Sequence, residues 1–92
     1  MKPLNRLLTP DDICQGHAFE GEKACAVGWL HKLTDMTDSW LAIDADIRAE
    51  GGFDGCISIW NDNSSKEVVA SVLNKVFLRH GIIKLEGGHA NA

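Results

Sequence analysis

Ninety-two residues suffice for one hydrophobic core and are too few for two, since a chain of this size buries about two-thirds of its unfolded surface. An apolar fraction of 45% and a charged fraction of 24% match globular usage and exclude disorder or a fibrous repeat for most of the chain. The net charge of −4 lacks the basic footprint of a direct nucleic-acid binder.

The first eight residues show no clear period. Thr9, Pro10, Asp11 and Asp12 then read as an N-cap, a proline at the first helical position and two acids facing the helix dipole, so a short helical turn is predicted. Gly16, Gly21 and the polar run 20–23 interrupt any longer element, which makes residues 14–23 a loop or a tight hairpin. Between residues 25 and 33, Cys25, Val27, Trp29, Leu30 and Leu33 fit a helix buried over much of its girth. Gly28 within it costs about 1 kcal/mol against alanine, a cost that points to close packing.

Asp35, Thr37 and Asp38 offer caps for a further helix with Trp40, Ile43 and Ile47 on one face and Asp44, Asp46 and Arg48 toward water, closed by Gly51 and Gly52. The alternating, β-branched run 56–60 predicts a short strand whose candidate partner is 82–85. Asn61, Asp62 and Asn63 predict a turn. Ser64 to Glu67 form a capping box, and the helix after it carries Val68, Val69, Val72, Leu73, Val76 and Phe77 as an apolar stripe. Lys66, Ser71, Asn74 and Lys75 lie opposite, and the helix should end near His80 and Gly81. The expected fold is mainly α, three to four helices around one core with a minor β hairpin or strand pair. Residues 1–86 form a single domain and 87–92 a flexible tail.

No apolar run approaches the roughly 20 residues of a membrane span, and the start leads into no signal-peptide core, so a cytoplasmic protein without membrane contact is expected. Cys14, Cys25 and Cys56 are odd in number, and a reducing compartment would keep them as thiols without a structural disulfide. Cys25, opening a helix, is the candidate catalytic nucleophile, with His17, His31 and His80 as possible bases; the plainer reading is a small buried hydrophobe beside Trp29. Cys14, His17, Cys25 and Cys56 can be assembled into a zinc site only on paper, because the second half lacks a local pair, so no metal and no cofactor are called for. Trp60, Asn61 and Asp62 offer an aromatic plane with an amide and a carboxylate, a candidate ligand site, although the same residues build turns. No phosphate loop, nucleophile elbow or zinc-protease helix is present.

Cys-Ala-Val-Gly-Trp-Leu at 25–30 and Ile-Ser-Ile-Trp-Asn-Asp at 57–62, followed by the helix with Val68 and Val69, resemble a family of small bacterial and phage proteins of unknown function. In that family a Cys-Ala-Leu/Val-Gly segment precedes a Trp-Asn-Asp turn and a final amphipathic helix. Cys14, Gln15 and Gly16 are similar to a segment upstream of its first motif. The resemblance spans residues 13–78 and implies a shared scaffold, with Cys25, Gly28, Trp60, Asn61 and Asp62 at the matching positions; it implies no activity. The chain departs from the pattern at Trp29, where a small residue is usual, and in its Asp-rich segment 38–50.

Residues 35–62 hold seven acids against Arg48 alone. The leading expectation is therefore a non-enzymatic interaction protein, of the kind phages direct at a host defence or nucleic-acid machine. It would present Asp35, Asp38, Asp44, Asp46, Glu50 and Asp54 to a protein partner with a basic surface. The alternative is a thiol-dependent enzyme or small-ligand-binding domain using Cys25 with Asn61 and Asp62, which requires these distant segments to meet in one pocket. Self-association through Trp29, Trp40 or Phe77 is a third option.

Overall fold

A computed structural model describes residues 3–34 and 40–85. A 3-10 turn at Pro10–Asp12 leads to a two-residue antiparallel hairpin, β1 (Phe19–Glu20) against β2 (Lys23–Ala24). Four helices follow: α1 (Ala26–Thr34), α2 (Trp40–Gly51), α3 (Ile57–Asn63) and α4 (Lys66–Arg79). The fold is mainly α with one small hairpin, as the patterning indicates. No described helix is long and apolar enough to cross a membrane.

Helix α4 forms the centre of the core, with Val69, Leu73, Val76 and Phe77 removed from solvent. Against them pack Ile43 and Ile47 of α2, Trp29, Leu30 and Leu33 of α1, and Leu8, Ile13, Ile82 and Ile83 from the connecting segments. Val68, placed by sequence in the apolar stripe, is 48% exposed; the buried face of α4 loses Val68 and gains Ala70. Trp29 and Phe77 are buried, so neither offers a self-association surface.

Four local readings are corrected. Residues 56–60 are not a strand: Cys56 is the N-cap of α3, and burial falls on Ile57 and Asn61, four residues apart, while Ser58 and Ile59 are exposed. That is the spacing of one helix face, and it overrides the β-branched composition. Asn61, Asp62 and Asn63 are accordingly the last residues of α3 and not a turn. The segment 82–85 pairs instead with the N-terminal stretch, through a parallel bridge of Leu4 with Ile83 and the bonds Leu4 N–H to Ile82 O (2.9 Å) and Lys84 N–H to Leu4 O (2.8 Å). The α4 cap is likewise displaced: Ser64 closes α3, while Ser65 Oγ accepts the Val68 amide at 3.1 Å. The candidate caps Asp35, Thr37 and Asp38, and the tail 87–92, lie outside the described residues.

Asn74 is not on a water-facing side alone. Its Oδ1 accepts from Leu8 N–H at 2.8 Å and its Nδ2 donates to Leu8 O at 2.9 Å, so one side chain completes the backbone pairing of the N-terminal segment. The Thr9 turn is held by Asp12, whose carboxylate accepts from the Thr9 amide at 2.7 Å and pairs with Arg6 at 2.8 and 3.1 Å. The Arg6 bond is the main reason the Asp12 carboxyl is held below its ordinary range.

Candidate functional site

The start of α1 needs acceptors for its first amides, because a helix leaves them without internal partners. Two residues supply them from different parts of the chain. Asn61 Oδ1, on α3, accepts from the Ala26 amide at 2.9 Å, and Cys25 Sγ accepts a long bond of 3.5 Å from the Gly28 amide. Asn61 Nδ2 donates to Cys14 O at 3.0 Å, which joins the 14–18 loop to the same point. The Asn61 side chain has no solvent exposure. It is a structural clasp rather than a ligand group, and the burial of an amide with both ends used is the physical reason.

The loop is fastened further. Gln15 Nε2 donates to Asn61 O at 2.9 Å and Ser64 O at 2.6 Å, and the Gly16 amide donates to Asp62 Oδ1 at 2.8 Å. Gly16 has a φ of +82°, a conformation that favours glycine because it lacks a Cβ. The Gly16 amide, and after it the Asn61 side chain, hold the Asp62 carboxyl below its ordinary range, with nearby His17 acting in the same direction.

Between this loop, the start of α1 and α3 lies a cleft of about 200 Å³, lined chiefly by carbon. Ala18, Cys25 and Val27 give its apolar surface, and His17, Ser58 and Asp62 its polar groups. The structure thus brings Cys25 and Asp62 to one cleft, as the alternative reading required. Cys25 is buried at 4% exposure. His17 and Ser58 join the cleft without any spacing in the sequence that would have selected them. Trp60 does not: its ring stacks on Phe53 at 4.7 Å between centroids and 7° between planes.

Gly28 sets the depth of this region. A Cβ there would fall 2.4 Å from Ala18 O and 2.9 Å from the Ala24 Cβ, so the hairpin lies directly on α1. A second hollow of about 370 Å³ lies beside Arg6, Asp12, Trp29 and Lys32. Of the charges there, Arg6 is paired with Asp12 and Lys32 lies over the Trp29 ring at 4.4 Å.

The acids expected to face a partner are largely engaged within the fold. Asp46 meets Arg79 at 3.3 Å and His80 at 2.7 Å, Glu50 meets Arg79 at 3.0 Å and Lys75 at 3.7 Å, and Asp44 meets Arg48 at 3.2 Å. The His80 hydrogen bond is the leading cause holding the Asp46 carboxyl low. Asp54 is exposed, and its backbone carbonyl accepts from Arg48 at 3.2 Å. Asp35 and Asp38 lie outside the described residues. Among the described residues no group of three or more His, Cys, Asp or Glu side chains could hold a metal ion. Comparison with family models, with curated proteins and with solved structures found no match to this chain.

Proposed function

We propose that the protein is a non-enzymatic interaction protein that receives a basic side chain of a protein partner in the cleft between the 14–18 loop, α1 and α3. The observation that carries this reading is a carbon-lined cleft with an ionised carboxylate, Asp62, on its rim. A lysine or arginine has the complementary form, an apolar stem ending in a cation that stays wet while the stem is covered. The net charge of −4 favours approach of a basic surface. With Asp44, Asp46 and Glu50 engaged in internal ion pairs, Asp62 and Asp54 are the better-placed carboxylates of the central acidic segment. The meeting of Cys25, Gly28, Asn61 and Asp62 around one junction also supports the shared-scaffold reading of the two motifs.

Calorimetric titration with short lysine- and arginine-bearing peptides tests the proposal. Asp62→Asn keeps an acceptor for the Gly16 amide and removes the charge, so the fold is kept while affinity falls about fivefold. Asp54→Asn changes affinity little. Capture requires ionised Asp62, whose carboxyl the Gly16 amide holds below its ordinary range. Binding should therefore persist as the pH falls to about 4 and disappear only below it. Equal affinity of wild type and Asp62→Asn for these peptides would exclude the cleft as the receptor.

A second reading, a thiol-dependent site, is favoured by one observation: Cys25, His17 and Asp62 line the same cleft. Alkylation of Cys25 in the folded protein faster than that of exposed Cys56 would support it. The buried Cys25 sulfur, accepting the Gly28 amide, accords better with a helix cap.

A further inference from the structure

Two of the three thiols belong to segments joined by backbone pairing. Ile13 and Ala24 form a parallel bridge, and the Cys14 amide donates to Ala24 O at 3.1 Å. Ala24 O belongs to the peptide group that leads into Cys25, so this hydrogen bond brings the backbones of Cys14 and Cys25 next to each other. Backbones joined by such a bond run about 5 Å apart. That separation lies within the Cα range a disulfide spans, roughly 4.4–6.8 Å. Both cysteines are free and buried, at 2% and 4% exposure. They differ in access: Cys25 lines the cleft, whereas the Cys14 thiol is directed at His17 O, 3.3 Å away.

We propose that Cys14 and Cys25 are a peroxide-oxidisable pair, with Cys25 as the attacking sulfur and Cys14 as the resolving one. Hydrogen peroxide is small enough to enter the cleft that Cys25 lines. In the first step the Cys25 sulfur attacks one peroxide oxygen and the O–O bond breaks. Cys25 becomes a sulfenic acid, and the departing hydroxide takes the thiol proton to form water. In the second step the Cys14 sulfur attacks the Cys25 sulfur and the S–O bond breaks. The hydroxide released takes the Cys14 proton as a second water. Two thiols are oxidised to one disulfide and one peroxide is reduced to two waters, the usual fate of a sulfenic acid beside a thiol. Burial raises the Cys14 thiol above its ordinary range, with Cys25 acting in the same direction, which makes Cys14 the slower nucleophile and fits its resolving role. The disulfide would tie the loop to the start of α1 and withdraw the sulfur that now accepts the Gly28 amide. The proposal does not depend on capture of a basic side chain.

The test uses the full chain carrying Cys56→Ser, so that the exposed thiol cannot form links between molecules. Treated with hydrogen peroxide without denaturant, it should lose two hydrogens in intact mass, yield a cross-linked Cys14–Cys25 peptide on non-reducing digestion, and return to its starting mass with dithiothreitol. Adding Cys14→Ser should stop the reaction at a Cys25 sulfenic acid that dimedone traps. Retention of both thiols, cross-linking that occurs only in urea, or a stable Cys25 sulfenic acid with Cys14 present would each overturn the proposal. The urea arm keeps the result meaningful if a variant is poorly folded, because native pairing must accelerate the reaction.

Discussion

Replacing Asn61 with alanine is expected to destabilise the fold by about 3 kcal/mol, which for a domain of this size lowers the thermal midpoint by roughly 15 °C. The magnitude follows from what is left behind. The Ala26 amide and the Cys14 carbonyl both bond to the Asn61 side chain, and each buried polar group left unpaired costs about 1–3 kcal/mol. A second substitution separates this cause from simple loss of volume. Asn61→Leu refills most of the space yet leaves the same amide and carbonyl unpaired, so it should be about as damaging as alanine. If leucine instead restored stability, the void and not the lost hydrogen bonds would be the cause. Denaturant titration of the three proteins distinguishes these outcomes, with circular dichroism at the helical band as the signal.

Gly28→Ala carries the second large effect, and intrinsic helix propensity predicts the opposite sign. In an exposed helix the change is worth about 1 kcal/mol of added stability. Here the new methyl meets Ala18 O at 2.4 Å and the Ala24 Cβ at 2.9 Å, and forcing a methylene into a filled site costs about 1–3 kcal/mol. The balance should be a destabilisation of about 2 kcal/mol. Because the nearest atom is backbone oxygen, it cannot rotate away. Ala24→Gly in the same chain therefore relieves only the lesser contact and should not restore the wild-type midpoint. A Gly28→Ala protein as stable as wild type would show that the hairpin does not rest on α1 as described.

The two residues differ in how far sequence exposed their roles. Gly28 was legible: a glycine inside an apolar helical run has no reason to persist other than space, and the structure supplies the backbone that occupies it. The helices α1, α2 and α4 were legible for the same reason, since Ile43 with Ile47 and Val69 with Val72, Leu73, Val76 and Phe77 recur at helical spacing. Helix α3 was not. Its seven residues are too few for the period to emerge, and Ile57 and Ile59 imitate alternation while Asn61 and Asp62 imitate a turn. The deciding contacts come from 46 and 47 positions away in the chain, at Gly16 and Cys14.

The same distance explains why the sequence pattern does not mark Gln15, Gly16 and Ser58 as neighbours of Cys25 and Asp62, and does not select His17 from the three histidines that could serve Cys25. Their proximity is created by the Asn61 clasp, which no local pattern encodes. Charge misled in a related way. Asp44, Asp46 and Glu50 read as a free acidic face because their partners Lys75, Arg79 and His80 lie on another helix, or, for Arg48, one turn along the same helix.

These ion pairs and the Asn61 clasp together shift attention from the broad acidic segment to one small cleft. The most direct test is to record amide spectra of the isotopically labelled protein while a short lysine-bearing peptide is added. Binding in the cleft predicts that the Gly16, His17, Ala18, Val27, Ser58 and Asp62 amides move together along one saturating curve, and that the same peptide with norleucine in place of lysine moves them far less. Shifts confined to α2 and Asp54, with the cleft amides unmoved, would contradict the account.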